Sequence, residues 1–285
     1  MIHRQLGPDL TVHTHACGEG GIFVNAFVLE TRASLVAVDA TLTESESKAF
    51  AAEIGALGKP LEAVLITHAH PDHVAGITNL AAGRRPRIIA TEACRDLMRA
   101  LEEPKRKQWT PVFGDEWVQR WTHPDTVARS GDRFTFDGLT VSVLDLGAGG
   151  DADSNAVWLV EGPVATAFLG DLVFNGPHSY IADGHLLAWL ANLTRLEEPC
   201  RSMEVVFPGH GPADRPGRLF AAQREYLLAF AAHVKELAEG RPSLTDAAKA
   251  ELERRMKARA PEAGLGFLIG MSADPVAREL AGSTT

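Results

Sequence analysis

Between positions 68 and 73 the chain reads His68-Ala69-His70-Pro71-Asp72-His73, three imidazoles and one carboxylate directly after the apolar stretch Ala63-Val64-Leu65-Ile66 and Thr67. Imidazole nitrogen and carboxylate oxygen are the donors that suit zinc and similar divalent ions, so the chemistry this cluster suggests is metal binding. The apolar stretch reads as a buried strand. His68 and His70, two residues apart, then point to one side of an extended chain, while Asp72 and His73 follow where it turns. Two pairs of donors can face two metals. A strand end whose histidines only bond to neighbours would explain one histidine easily and this density poorly.

Further donors must come from other strand ends. Gly170-Asp171 follows Ala167-Phe168-Leu169, and Gly209-His210-Gly211 follows Val205-Val206-Phe207-Pro208. Glycine beside a donor lets the backbone turn sharply and approach a ligand closely. Alone, each is a common turn; with the cluster at 68–73 they become candidates.

The elements that would hold these donors alternate along the first half. Strands are expected at 11–15, 22–29 and 34–38, the last ending at Asp39, followed by a helix at 45–57 that closes with Gly58 and Pro60. The strand before the cluster comes next, then helical character at 71–82, a strand at 87–90 and a helix at 92–101 ending near Pro104. Residues 102–128, with Trp109, Phe113, Trp117 and Trp121, follow no single period. They read as an insert: a lid whose aromatics line a substrate pocket, an irregular helix packed on the body, or a contact with a second copy of the chain. More strands are expected at 134–136, 139–146, 156–160, 164–169 and 204–207, then helices at 219–237 and 244–258. The domain reading is 1–217 as the main domain and 218–285 as a helical extension packed on it; from Gly264 onward either Met271 and Leu280 pack as a small helical cap or the last residues, 282–285, are disordered.

Composition narrows the partners. Twenty-eight Lys and Arg against 37 Asp and Glu leave a formal charge of -9 over 285 residues, which disfavours phosphate backbones and anionic lipid. The expected partner is a small-molecule substrate, not nucleic acid or a membrane, with a homo-oligomer compatible. The amino-terminal residues lack a signal-like apolar core and no apolar run approaches a membrane span, which points to the cytoplasm. Cys17, Cys94 and Cys200 are widely spaced, odd in number and outside any CxxC pair, as expected of small buried thiols in a reducing compartment.

Taken in order and separation, these residues resemble the metallo-β-lactamase fold hydrolases over residues 20–211: the family's His-x-His-x-Asp-His at 68–73, its bridging aspartate at Asp171 and its last Gly-His at His210. The resemblance implies an α/β (α+β) αββα sandwich with two divalent ions, zinc foremost and Fe or Mn as alternatives, at an edge of the sheets. It places His68, His70 and Asp151 on one metal, Asp72, His73 and His210 on the other, and Asp171 between them, with Asp72 and Asp171 as the catalytic carboxylates. Asp39 resembles the early aspartate that supports the ligands from behind. One departure stands out: where the family carries a histidine four residues before an Asn, counting back from Asn155 lands on Asp151. A carboxylate there lowers the site's charge by one and favours harder ions. Asp153 is the alternative donor, and a plain turn residue at Asp151 the other reading.

The implied activity is attack by a metal-bound hydroxide on an ester, an amide such as a β-lactam, a lactone or a thioester. Lactonases of the family place a Tyr shortly after the bridging aspartate, where this chain has Asp171-Leu172-Val173-Phe174, which counts against a lactone. Asn175, His178 and Tyr180 follow closely, either as polar substrate contacts or as loop residues bonded to backbone. The alternative function is an iron-dependent oxidoreductase of the same fold, such as a persulfide dioxygenase.

Overall fold

The computed structural model describes residues 1–162 and 164–282, so residues 283–285, part of the expected tail, lie outside the described residues. Among the described residues the strands are β1 (Ile2–Gly7), β2 (Leu10–Ala16), β3 (Asn25–Glu30), β4 (Leu35–Val38), β5 (Leu61–Leu65), β6 (Arg87–Thr91), β7 (Thr126–Ala128), β8 (Arg133–Phe136), β9 (Leu139–Gly147), β10 (Asn155–Glu161), β11 (Thr166–Phe174) and β12 (Phe207–His210). The α-helices are α1 (Glu44–Ala56), α2 (Pro71–Val74), α3 (Ile77–Ala81), α4 (Glu92–Phe113), α5 (Leu186–Cys200), α6 (Pro216–Ala238), α7 (Asp246–Arg259) and α8 (Phe267–Gly282). The strands form a seven-stranded sheet in sequential order from β1 to β7 and a five-stranded sheet in the order β12-β11-β10-β9-β8. Among the described residues no helix is long and apolar enough to cross a membrane.

The chain divides into two compact units, Met1–Asp145 with Ala156–Gly170 and Leu146–Asn155 with Asp171–Thr285. In the first unit β1 to β4 form an antiparallel meander and β4 to β7 run parallel. Parallel pairing brings the carboxyl ends of neighbouring strands to one edge: Val38 lies opposite Leu65, so Asp39 and the residues after β5 emerge side by side. Every residue of β4 is buried, as expected of a strand covered on both faces. One face packs Leu35 and Ala37 with Phe50 and Ile54 of α1, Leu80 of α3 and Met98 of α4. On the other, Phe27 of β3 meets Phe168 of β11 with ring centres 5.1 Å apart, and the Trp158 indole of β10 donates to the Ile66 carbonyl at 3.0 Å.

The helix expected to end near Pro104 continues to Phe113 with Pro104 and Pro111 inside it. A proline removes one backbone donor and crowds the preceding turn, but tertiary packing carries the helix through. Trp109 and Phe113 lie against the core, and Trp117 and Trp121 behind them are buried in it. Glu102 adds a polar fastening, accepting from the Trp121 amide at 2.9 Å and pairing with the His123 ring at 2.8 Å. Of the readings open for residues 102–128, packing on the body describes these aromatics.

In the second unit α5 to α8 gather around the end of β11 and β12. The Trp189 indole donates to the Leu172 carbonyl at 2.8 Å, the Gln223 side chain accepts from the Phe174 amide at 2.9 Å, and the two helices expected toward the carboxyl end are present as α6 and α7, followed by a further helix, α8. β11 extends five residues beyond the strand expected from its apolar pattern, so Asp171 lies inside a strand instead of after one.

Candidate metal centre

In the first unit the cluster is built on a hydrogen-bonded base. Asp39 follows β4 in a left-handed conformation, φ 57°, which turns its buried carboxylate toward the next strand end. One oxygen accepts from the Thr67 amide at 2.8 Å, the other from the Thr67 hydroxyl at 2.7 Å and from His73 Nδ1 at 2.8 Å. A hydroxyl has one proton, and Thr67 gives it to Asp39; Thr67 Oγ1 therefore accepts from His68 Nδ1, which lies 3.0 Å away. Both imidazoles thus carry a proton on Nδ1 and present Nε2 as the nitrogen with a lone pair.

The remaining donors of this unit follow from a short helix. His70 is the N-terminal boundary of α2 and Pro71 its first residue, a position suited to proline because that amide has no helical acceptor. The turn swings Asp72 and His73 back over the strand end, where the His73 carbonyl accepts from the Ala40 amide at 2.8 Å. The ring of His68 lies 5.0 Å from that of His70 and 4.1 Å from that of His73, and Asp72 Oδ2 is 3.5 Å from His73 Nε2. All four side chains are buried, His68 and His73 completely.

In the second unit Asp171 and His210 come together, Oδ2 to Nε2 at 3.1 Å, both buried. The His210 ring stacks on Phe174, 4.8 Å between centres and 6° between planes. Phe174, near which a lactonase would carry its phenol, thus supports a donor ring here. Gly211 has φ +84°, and a Cβ there would stand 1.6 Å from the Asn175 carbonyl oxygen, so only glycine lets the chain leave His210 along this path.

At the departure from the family pattern, Asp151 is the interior carboxylate and Asp153 the outer one. Asp151 is buried, whereas Asp153 is exposed and pairs with His185 at 2.6 Å. The loop carrying Asp151 is tied down by Asn192 of α5, whose amide donates to the carbonyls of Ala148 and Gly149 at 3.0 and 2.6 Å, and by Asn155, which donates to Ala152 at 2.8 Å. Asn175, His178 and Tyr180 each have a local bond: Asn175 to the Pro212 carbonyl, His178 Nδ1 to the Tyr226 hydroxyl and the Tyr180 hydroxyl to Asp183. Burial, with the Lys257 charge adding to it, holds His178 below the usual histidine range.

Sequence reasoning missed Thr67, Asn192 and the supporting role of Phe174. A threonine just before the histidines and an asparagine inside an otherwise apolar helix were the available signals. The donor chemistry fits metal ions: buried imidazole and carboxylate groups, two of the imidazoles held with Nε2 deprotonated, are able to bind divalent cations.

The profile of the metallo-beta-lactamase superfamily matches residues 20–231. A metallo-beta-lactamase type 2 of Bacillus sp. (strain 170) is 27% identical over 222 residues, covering 75% of this chain and 78% of that protein. A beta-lactamase-like protein 2 homolog of Caenorhabditis elegans is 27% identical over 196 residues, covering 66% of this chain and 56% of that protein. Among solved structures, a metallo-beta-lactamase from Pontibacter korlensis superposes with a TM-score of 0.63 at 19% identity, covering 80% of this chain and 98% of that one. With a profile match across most of its length and the fold to go with it, this chain belongs to the metallo-beta-lactamase superfamily.

Proposed function

We propose that the protein is a metal-dependent hydrolase of small molecules, in which His68, His70 and Asp151 would hold one divalent cation and Asp72, His73, Asp171 and His210 a second. The observation that carries this reading is the Asp39 and Thr67 base, which fixes the tautomers of His68 and His73. A purely structural histidine pair has no need of both Nε2 atoms kept as acceptors. Bound cations of this kind acidify water and polarise the oxygen of an acyl group.

The chain's own residues do the rest. Asp39 keeps a negative charge behind His73, strengthening the ring as a donor. Phe174 holds the His210 plane, and Asn192 holds the loop that presents Asp151. The formal charge of -9 and the absent phenol favour a neutral or apolar ester, amide or thioester over a polyanion or a lactone. The family name and the Bacillus relative add weight to a hydrolytic reading.

The test is a screen of esters, β-lactams, lactones and thioesters with zinc-loaded protein and with Asp171→Asn. Hydrolysis that falls at least a hundredfold in the variant, at unchanged melting temperature of the metal-free form, supports the reading. Equal turnover by the two proteins, or iron in the purified protein together with oxygen uptake on a persulfide, overturns it.

A further inference from the structure

A second set of mixed donors lies within the first unit, apart from the residues of the proposed metal centre. His15 is near the end of β2, Cys17 follows that strand, and Glu46 is in the first turn of α1; one ligand atom from each lies within 4.8 Å of the others. His15 and Cys17, two residues apart on extended chain, point to the same side. His15 Nε2 is 3.2 Å from Glu46 Oε2, and its other nitrogen, Nδ1, is 2.6 Å from Glu53 Oε2. A histidine whose far nitrogen is held by a carboxylate is the arrangement metal-binding imidazoles usually have.

We propose that His15, Cys17 and Glu46 form a separate site for a thiophilic divalent cation, with zinc as its natural occupant and Glu53 orienting the histidine. Tetrahedral zinc with bonds of about 2.0 to 2.3 Å needs donors roughly 3.3 to 3.8 Å apart, so the observed separations require only small closing movements. His15 and Cys17 are buried, while Glu46 and Glu53 reach solvent and leave an entry path. Phe50 flanks the imidazole at 5.1 Å between ring centres. Gly21 forms the opposite wall: a Cβ there would stand 2.6 Å from Cys17 Cβ and 3.2 Å from its sulfur. Burial and the neighbouring carboxylates keep the thiol protonated when no cation is bound. Binding therefore exchanges a divalent ion for the thiol proton. The cation would staple the end of β2 to α1.

Cobalt(II) titration tests this without reference to catalysis. The donors at 68–73, Asp151, Asp171 and His210 contain no sulfur, so cobalt held by them gives visible bands alone, whereas a cysteine ligand adds a near-ultraviolet thiolate-to-cobalt band. The expected result is that this band appears in the parent protein, is lost in Cys17→Ser with the circular dichroism unchanged, and needs at least tenfold more cobalt in Glu46→Gln. Zinc per chain after dialysis should fall by one in Cys17→Ser. A parent protein without the thiolate band, a band that survives Cys17→Ser, or equal zinc content in the two proteins overturns the proposal. A thiolate band with only one cobalt ion bound per chain would instead count against the His and Asp centre.

Discussion

Replacing Asp39 by Asn tests the base on which the histidines stand. The carboxylate accepts three hydrogen bonds of 2.7 to 2.8 Å, from the Thr67 amide, the Thr67 hydroxyl and His73 Nδ1. An Asn keeps one acceptor oxygen and turns the other position into a donor. If the carbonyl stays with the Thr67 amide, the new amino group faces His73 Nδ1, which can then only accept. The proton moves to Nε2, the atom needed for the metal. Restoring the binding tautomer forfeits at least one charge-assisted bond, about 1.5 to 3 kcal/mol. That corresponds to roughly ten- to a hundredfold weaker metal binding, in the range found when the partner behind a ligating histidine is removed. Chelator competition for zinc reads the affinity, and long-range nitrogen-proton NMR correlations of the imidazoles read the tautomer. An Asp39→Asn protein that binds zinc as tightly as the parent, or that keeps the Nδ1 proton on His73, would refute the reasoning.

Two other consequences follow from single residues. Asp151→His should keep metal in the protein and shift its preference toward zinc over iron and manganese, because an imidazole replaces a harder oxygen donor; unchanged metal content and selectivity on inductively coupled plasma analysis would mean that Asp151 ligates nothing. His178 is held below the ordinary histidine value by burial, with Lys257 adding to it, so the folded state binds fewer protons than the unfolded chain between that depressed value and about 6.5. Its contribution to stability is complete above that window and is lost as pH falls through it. Melting temperatures measured from about pH 7.5 down to pH 5 should fall less steeply in His178→Gln than in the parent, and parallel curves would contradict the assignment.

How much of this was legible beforehand depends on the range of the interactions involved. The cluster at 68–73 and the strand before it could be read because residue type and local spacing carry them, whereas the role of Asp39 was implied only by the family resemblance. α4 could not: Pro104 is a local stop signal, and what overrides it is the burial of Trp117 and Trp121, known only once the chain is folded. β1, ending next to Gly7 and Pro8, has a mostly exposed pattern with no apolar alternation, so pairing with β2 and not its own sequence makes it a strand. Asp171 was expected after a strand because a Gly-Asp pair usually marks a turn, yet β11 runs on to Phe174 as its buried apolar residues continue. Thr67 and Asn192 matter through hydrogen bonds to groups whose proximity no spacing rule reveals.

The central claim is that the clustered histidines and aspartates hold metal. It is tested most directly by counting zinc ions per chain after loading and exhaustive dialysis, in a Cys17→Ser background so that the separate thiol site is not included, and again with His68→Ala and His70→Ala added. The account predicts two ions in the first protein and one in the second, with the metal-free forms equally folded by circular dichroism. No retained zinc in the first protein, or the same count in both, would contradict it.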